Sequence, residues 1–161
     1  MQLVVLGLNH KTAPVGIREC FSFSEEQVRI ALRHINKADD IHEGVILSTC
    51  NRTEIYAVVH DPEEALAVLL DFFSDLSSET DQAEEYFFYH CGEACIKHLF
   101  RVAASLDSLV IGEGQILSQV KKAYTVARKN GATSTVLNTL FHRAIAAGKG
   151  VRTETHIAYN A

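Results

Sequence analysis

The chain has 161 residues, 47% of them apolar and 22% charged, which excludes a disordered polymer and fits one compact domain. Its formal net charge of −5 excludes a uniformly basic nucleic-acid binder. The charge is split, however: residues 1–90 carry 6 basic and 16 acidic side chains (net −10), whereas residues 91–161 carry 9 and 4 (net +5), which leaves room for a basic carboxy-terminal face.

In chain order, Leu3-Val4-Val5-Leu6-Gly7-Leu8 is a continuous apolar run, the pattern of a strand buried on both faces. Asn9 to Pro14 breaks it and predicts a loop. Ser24 with Gln27 three residues on is a capping box, opening a helix whose apolar face is Val28, Ala31, Leu32 and Ile35. Val45-Ile46-Leu47 predicts a second buried strand. Glu54 to Val59 predicts a third that alternates, with Ile55, Ala57 and Val59 on one face. Asp61-Pro62-Glu63-Glu64 combines an N-cap, a proline at the first helical position and acids in the first turn. The helix it opens carries Leu66, Leu69, Phe72 and Phe73, and Ser77 to Glu84 then reads as a polar loop. Tyr86 to Tyr89 predicts a fourth strand. This order, β-α-β-β-α-β, predicts an α+β fold with a ferredoxin-like sandwich.

From residue 91 the pattern is helical only. One helix is expected over about 91–105, and a second over about 114–130 with Ile116, Leu117, Val120, Ala123 and Ala127 inward. The outer face of the second carries Lys121, Lys122, Arg128 and Lys129. A third starts at Ser134 and buries Leu137, Leu140, Phe141, Ala144 and Ile145. No stretch approaches the roughly 20 apolar residues that span a bilayer, so no membrane is expected. The four cysteines (Cys20, Cys50, Cys91, Cys95) form no disulfide framework, and free thiols in a reducing cytoplasm are the expectation. Cys91, Cys95 and His98 share one side of a helix, but their spacing fits no common zinc motif.

Chemistry concentrates in two stretches. Ser48-Thr49-Cys50-Asn51-Arg52-Thr53-Glu54 joins two apolar strands, so its polar residues sit at strand ends, where a guanidinium favours the nucleophilic thiolate of a nearby cysteine. Arg52 can grip a carboxylate with two parallel hydrogen bonds. The plainer alternative has Cys50 filling space and Arg52 pairing with Glu54. Ser105-Leu106-Asp107-Ser108 followed by Gly112-Glu113-Gly114-Gln115 makes a polar joint between helices, approachable by ligand backbone at its glycines. His98 lies on the helix leading there, as an acid, base or orienting group or as an ordinary satisfied helix histidine. His10 is the weaker candidate. No glycine-rich dinucleotide fingerprint follows a strand, and neither a P-loop nor a nucleophile elbow occurs.

Together, Gly7-Leu8-Asn9-His10-Lys11-Thr12-Ala13-Pro14-Val15, Ser48 to Glu54, Ser108 to Ile116 and Gly150-Val151-Arg152-Thr153-Glu154-Thr155 resemble glutamyl-tRNA reductase. The resemblance runs through essentially the whole chain, and the Thr-Cys-Asn-Arg-Thr-Glu run is its most specific part. It implies an NADPH-dependent enzyme of tetrapyrrole biosynthesis in which Cys50 attacks the ester of glutamyl-tRNA. The thioester so formed is reduced to glutamate-1-semialdehyde. It further implies His98 as a second catalytic group and Thr49, Asn51, Arg52, Ser108, Glu113, Gly114, Gln115 and Gln119 as substrate-binding positions, with Arg52 on the glutamate side-chain carboxylate. Residues 1–150 are then the catalytic domain and 151–161 the start of a linker to an NADPH-binding domain absent from this chain. The resemblance also implies a homodimer formed through another absent domain, and an aminomutase that receives the semialdehyde. Two alternatives from other classes are a non-catalytic RNA-binding module and a cysteine enzyme acting on a different acyl group.

Overall fold

In the computed structural model, which describes residues 1–78, 83–108 and 115–155, the first apolar run becomes strand β1 (Gln2–Asn9), buried at every position from Val4 onward. Pro14 caps a short helix α1 (Val15–Cys20), to which the sequence reading assigned no element. The Ser24–Gln27 capping box forms as expected and starts α2 (Glu25–Lys37), which buries Ala31, Leu32 and Ile35. Strands β2 (Ile41–Ser48) and β3 (Arg52–Val59) follow as a hairpin. Helix α3 (Pro62–Ser74) starts at Asp61, whose carboxylate accepts the Glu63 N–H.

The fourth strand departs from expectation. A 3-10 turn occupies Glu84–Tyr86, and β4 is Phe88–Cys91. Phe87 is held edge-on against Phe21 and Phe73, so pairing with β1 begins only at Phe88, opposite Gly7. The helix expected from about residue 91 likewise starts later, as α4 (Glu93–Ala103), because Cys91 still pairs with Val4. Gly92 makes the turn between them at φ +60, a left-handed conformation open to glycine, and its N–H donates to the Leu3 carbonyl. Helices α5 (Gln115–Lys129) and α6 (Thr135–Thr155) complete the described chain. Tyr124, unassigned in the sequence reading, is buried on α5 and stacks on Phe141 of α6.

The architecture is mixed α/β, with a four-stranded antiparallel sheet in the order β2-β3-β1-β4. Its two faces can be told apart residue by residue. Gly44 pairs with Ala57 and Ile46 with Ile55, and a side chain at Gly44 would strike Ile35 of α2, so that face meets α2. The opposite parity on β3 holds Tyr56, edge-on to Phe141 of α6, and Glu54, bonded to His98 of α4. Ile55 and Ala57 share the α2 face as the alternation predicts, and all eight residues of β3 are buried because the carboxy-terminal helices cover the second face. With β1 and β3 enclosed, the central strands offer no surface for stacking bases.

Candidate active site at the β2–β3 turn

Thr49, Cys50 and Asn51 form the short connection between β2 and β3. Thr49 N–H donates to the Arg52 carbonyl at 2.8 Å, and Thr49 Oγ1 accepts from the backbone N–H groups of Asn51 and Arg52 at 3.2 Å each. Two outside elements brace the turn. His10 N–H donates to the Asn51 carbonyl at 3.0 Å, and Arg18 Nη1 donates to the Cys50 carbonyl and Asn51 Oδ1 at 3.3 Å each. A fixed backbone thus presents Cys50, which is exposed, whereas Cys95 is fully buried.

Beyond the turn, the two-residue period of β3 puts Arg52, Glu54 and Tyr56 on one covered face. Arg52 is only 2% exposed, and burying a guanidinium demands partners. Its Nη1 donates to Glu54 Oε2 at 3.0 Å and to Asp107 Oδ2 at 3.2 Å, while Nη2 donates to the Asp107 carbonyl at 2.6 Å. Lys11 reaches the other oxygen of Asp107 at 2.7 Å. Glu54 also accepts from the Tyr56 hydroxyl at 2.7 Å and meets His98 Nε2 at 2.6 Å. The backbone at Ser105 turns with φ +63, rare outside glycine, and delivers Asp107 to this cluster.

The electrostatics follow from the contacts. Burial alone would push the Glu54 carboxyl up, but the hydrogen bond and charge of His98, the Arg52 charge and the Tyr56 hydroxyl together hold it below its ordinary value. Asp107 is likewise pushed up by burial and brought down further by Lys11 and Arg52. With Glu54 ionised, His98 Nε2 carries the proton in their bond. His10 is lowered by burial and then by the Arg52 charge, and its Nδ1 is buried with no partner among the described residues. Cys95, against the same face, is pushed up to about 12 by burial and then by the Glu54 charge, the behaviour of a core thiol. Among the described residues, no group of three His, Cys, Asp or Glu side chains is placed to hold a metal ion.

Thr49, Cys50, Asn51 and Arg52 line one recess with Ser108, Gln115 and Gln119, so seven of the predicted positions converge although they come from three separate parts of the chain. Glu113 and Gly114 lie outside the described residues. His98 stands one step back, joined to the recess through Glu54 and Arg52. The sequence reading placed Asp107 in a polar joint without a partner, assigned no part in the arrangement to Lys11, Tyr56 or Arg18, and saw Glu54 only as a partner for Arg52. One signal was available: side chains with polar groups at alternate positions 52, 54 and 56 of a strand that is otherwise aliphatic from Ile55 onward.

Comparison with known proteins bears on the same residues. A sequence profile described as "Glutamyl-tRNAGlu reductase, N-terminal domain" matches residues 6–155. The glutamyl-tRNA reductases of Desulfatibacillum aliphaticivorans and Pelobacter propionicus are 45% and 47% identical over 162 aligned residues, covering 100% of this chain and 37% of each relative. The chain thus spans just over a third of the length of these curated relatives. Among solved structures, the glutamyl-tRNA reductase from Methanopyrus kandleri superimposes with a TM-score of 0.76 at 36% identity, over 94% of this chain and 34% of that one.

Proposed function

The chain belongs to the glutamyl-tRNA reductase family through its amino-terminal domain, and we propose that it performs the acyl-transfer half of that enzyme's reaction, with Cys50 as the nucleophile toward glutamyl-tRNA. The thiolate of Cys50 attacks the carbonyl carbon of the ester that joins glutamate to the terminal ribose. A carbon–sulfur bond forms, the carbon–oxygen bond to the ribose breaks, and the ribose oxygen takes up a proton. The products are a glutamyl thioester on Cys50 and free tRNA. An aminoacyl ester is already activated, so the step requires a positioned thiolate rather than a metal.

The observation that carries this reading is the recess, where an exposed thiol on a braced turn lies beside one guanidinium and a set of neutral polar groups. In the proposal Arg52 holds the side-chain carboxylate of the glutamyl group. Three of its five N–H protons are committed to Glu54 and Asp107, which fixes the plane of the guanidinium. His98 contributes by holding Glu54 ionised beneath Arg52. Thr49, Asn51, Ser108, Gln115 and Gln119 supply neutral hydrogen bonds, and Glu113 and Gly114 complete the substrate positions. The strand order β2-β3-β1-β4 supports reading the sheet and its first helices as a ferredoxin-like core.

Reductases of this family use NADPH, which supplies hydride. The described residues do not fit that cofactor: their sheet is wholly antiparallel, and no glycine-rich strand-to-helix turn is present to seat a pyrophosphate. The half-reaction proposed for this chain therefore stops at the thioester. Reduction to glutamate-1-semialdehyde, homodimerisation and transfer of the product to an aminomutase are proposed for the whole enzyme, with residues 151–161 leading toward its NADPH domain and the reducing cytoplasm as its setting.

Single-turnover mixing with tRNA carrying labelled glutamate tests the proposal. Label is expected to pass to the protein and to be lost in Cys50→Ala, with glutaminyl-tRNA a poor donor because it lacks the charge that Arg52 would read. Label transfer that survives Cys50→Ala overturns the proposal.

A further inference from the structure

A second and larger cavity adjoins the recess. It is a groove of about 400 Å³ between α2 and α5, meeting the recess at Gln119, and apart from that shared residue the acyl-transfer chemistry above leaves its lining without a role. We propose that this groove is the subsite for the terminal adenosine of the aminoacyl-tRNA; the inference rests on the reading of Cys50 as the acyl acceptor.

Three features support that occupant. The first is connectivity. The ester oxygen that leaves Cys50's substrate belongs to the terminal ribose, so the nucleoside must lie directly beside the reacting carbonyl, and the groove opens where the recess ends. Its volume lies within the range of cavities that enclose small organic ligands.

The second is the surface. Phe23, Val28, Ala123 and Val126 give apolar walls suited to the faces of a purine. The floor is the outer edge of β2. Gly44 N–H turns away from β3 to donate to the Ala132 carbonyl at 2.9 Å, and Thr49 N–H turns inward to Arg52. By the two-residue period the N–H and carbonyl groups of Ile46 and Ser48 point outward like those of Gly44, into the groove. Alternating backbone donors and acceptors match an adenine edge, which offers an amino donor beside a ring-nitrogen acceptor.

The third is charge. Arg29, Lys122 and Lys129 stand around the groove against one acid, Glu25, which pairs with Lys122 at 2.9 Å and bridges α2 to α5. That excess suits the phosphate joining the terminal adenosine to the nucleotide before it.

The experiment compares two acyl donors: glutamyl-tRNA and glutamate α-ethyl ester, which has no nucleoside. Ala123→Phe, half-buried at the groove wall, fills the subsite from a position that is not among the residues lining the Cys50 recess. It is expected to slow acylation of Cys50 by glutamyl-tRNA about tenfold or more while leaving the ethyl ester reaction within about twofold of wild type. Equal rates with glutamyl-tRNA in variant and wild type, or equal losses with both donors, overturn the subsite. Should Ala123→Phe lose its thermal transition, Lys129→Glu gives the same comparison, with a smaller selective loss expected and no selective loss contradicting the assignment. Failure of wild-type protein to be acylated by either donor instead overturns the acyl-transfer reading, and the subsite with it.

Discussion

Arg52, Glu54, Asp107 and Lys11 form a connected set of charges, with His98 bonded to Glu54; Glu54 is wholly buried and Arg52 nearly so. Removing one member of a buried ion pair leaves the other uncompensated, at a cost of about 3–5 kcal/mol. Glu54→Gln is therefore expected to lower unfolding free energy in that range, measured by urea denaturation. It also has a pH signature. Both Glu54 and Asp107 titrate in the fold below their ordinary values. Their stabilisation is thus fully present above the unfolded pKa of roughly 4 and is lost as pH falls through the lower folded values. Wild-type stability should drop steeply below about pH 4, and Glu54→Gln or Asp107→Asn should flatten that slope. An unchanged slope in both variants would mean these carboxylates are not held as the geometry requires. Gly7 lies opposite Glu54 on β1, and a β-carbon there would come within 2.5 Å of the Thr53 carbonyl and 2.9 Å of Glu54 Cγ. Gly7→Ala should cost about 1–3 kcal/mol and disturb the Glu54–His98 bond, visible as a shifted His98 resonance. At this scale the sequence was legible where chemistry is local: Cys50 and Arg52 stand out in their own turn. The pairing of Asp107 with Lys11 was not legible, because they are 96 residues apart and meet only through the fold.

Elements announced by caps were read well. The Ser24–Gln27 box and the Asp61-Pro62 start both form as expected, since each is a bond between residues two or three apart. The start of α6 is held differently. Glu43, at the β-bulge of β2, accepts the backbone N–H groups of Ser134, Val136 and Leu137 at 2.6 to 3.3 Å. A carboxylate 91 residues upstream thus caps this helix and ties it to the sheet edge. No local pattern near Ser134 reveals that, and the shifts at β4 and α4 have the same origin in tertiary pairing. Glu43→Ala should cost about 1–3 kcal/mol by thermal or chemical unfolding, and Glu43→Gln less, because it keeps one acceptor oxygen. An unaffected Glu43→Ala variant would show that water caps α6 equally well.

Across the whole molecule, the split of net charge coincides with the two layers around the sheet. The acidic amino-terminal half supplies the thiol turn and α2, and the basic half supplies α5, on which Lys122, Arg128 and Lys129 are exposed. Reversing the charge of Lys121, Lys122, Arg128 and Lys129 should weaken tRNA binding and make it less sensitive to salt. The slope against the logarithm of salt concentration should fall by about one for each phosphate that is no longer neutralised. An unchanged salt slope would contradict the assignment of this face to the proposed tRNA substrate. Sheet order and helix packing bring Lys122 and Lys129 to the groove that meets the Cys50 recess at Gln119, a proximity that charge counting along the chain suggested only as an orientation.

The most direct test of the proposed acyl transfer asks which sulfur atom accepts the glutamyl group. Of the four thiols, Cys50 and Cys91 are exposed, and Cys20 and Cys95 are covered to differing degrees. Protein mixed with glutamyl-tRNA, quenched in acid and analysed by intact mass and peptide mapping should gain one glutamyl group, lodged on the peptide that contains Cys50. An adduct on Cys20, Cys91 or Cys95, or none at all while the tRNA is deacylated, would contradict it.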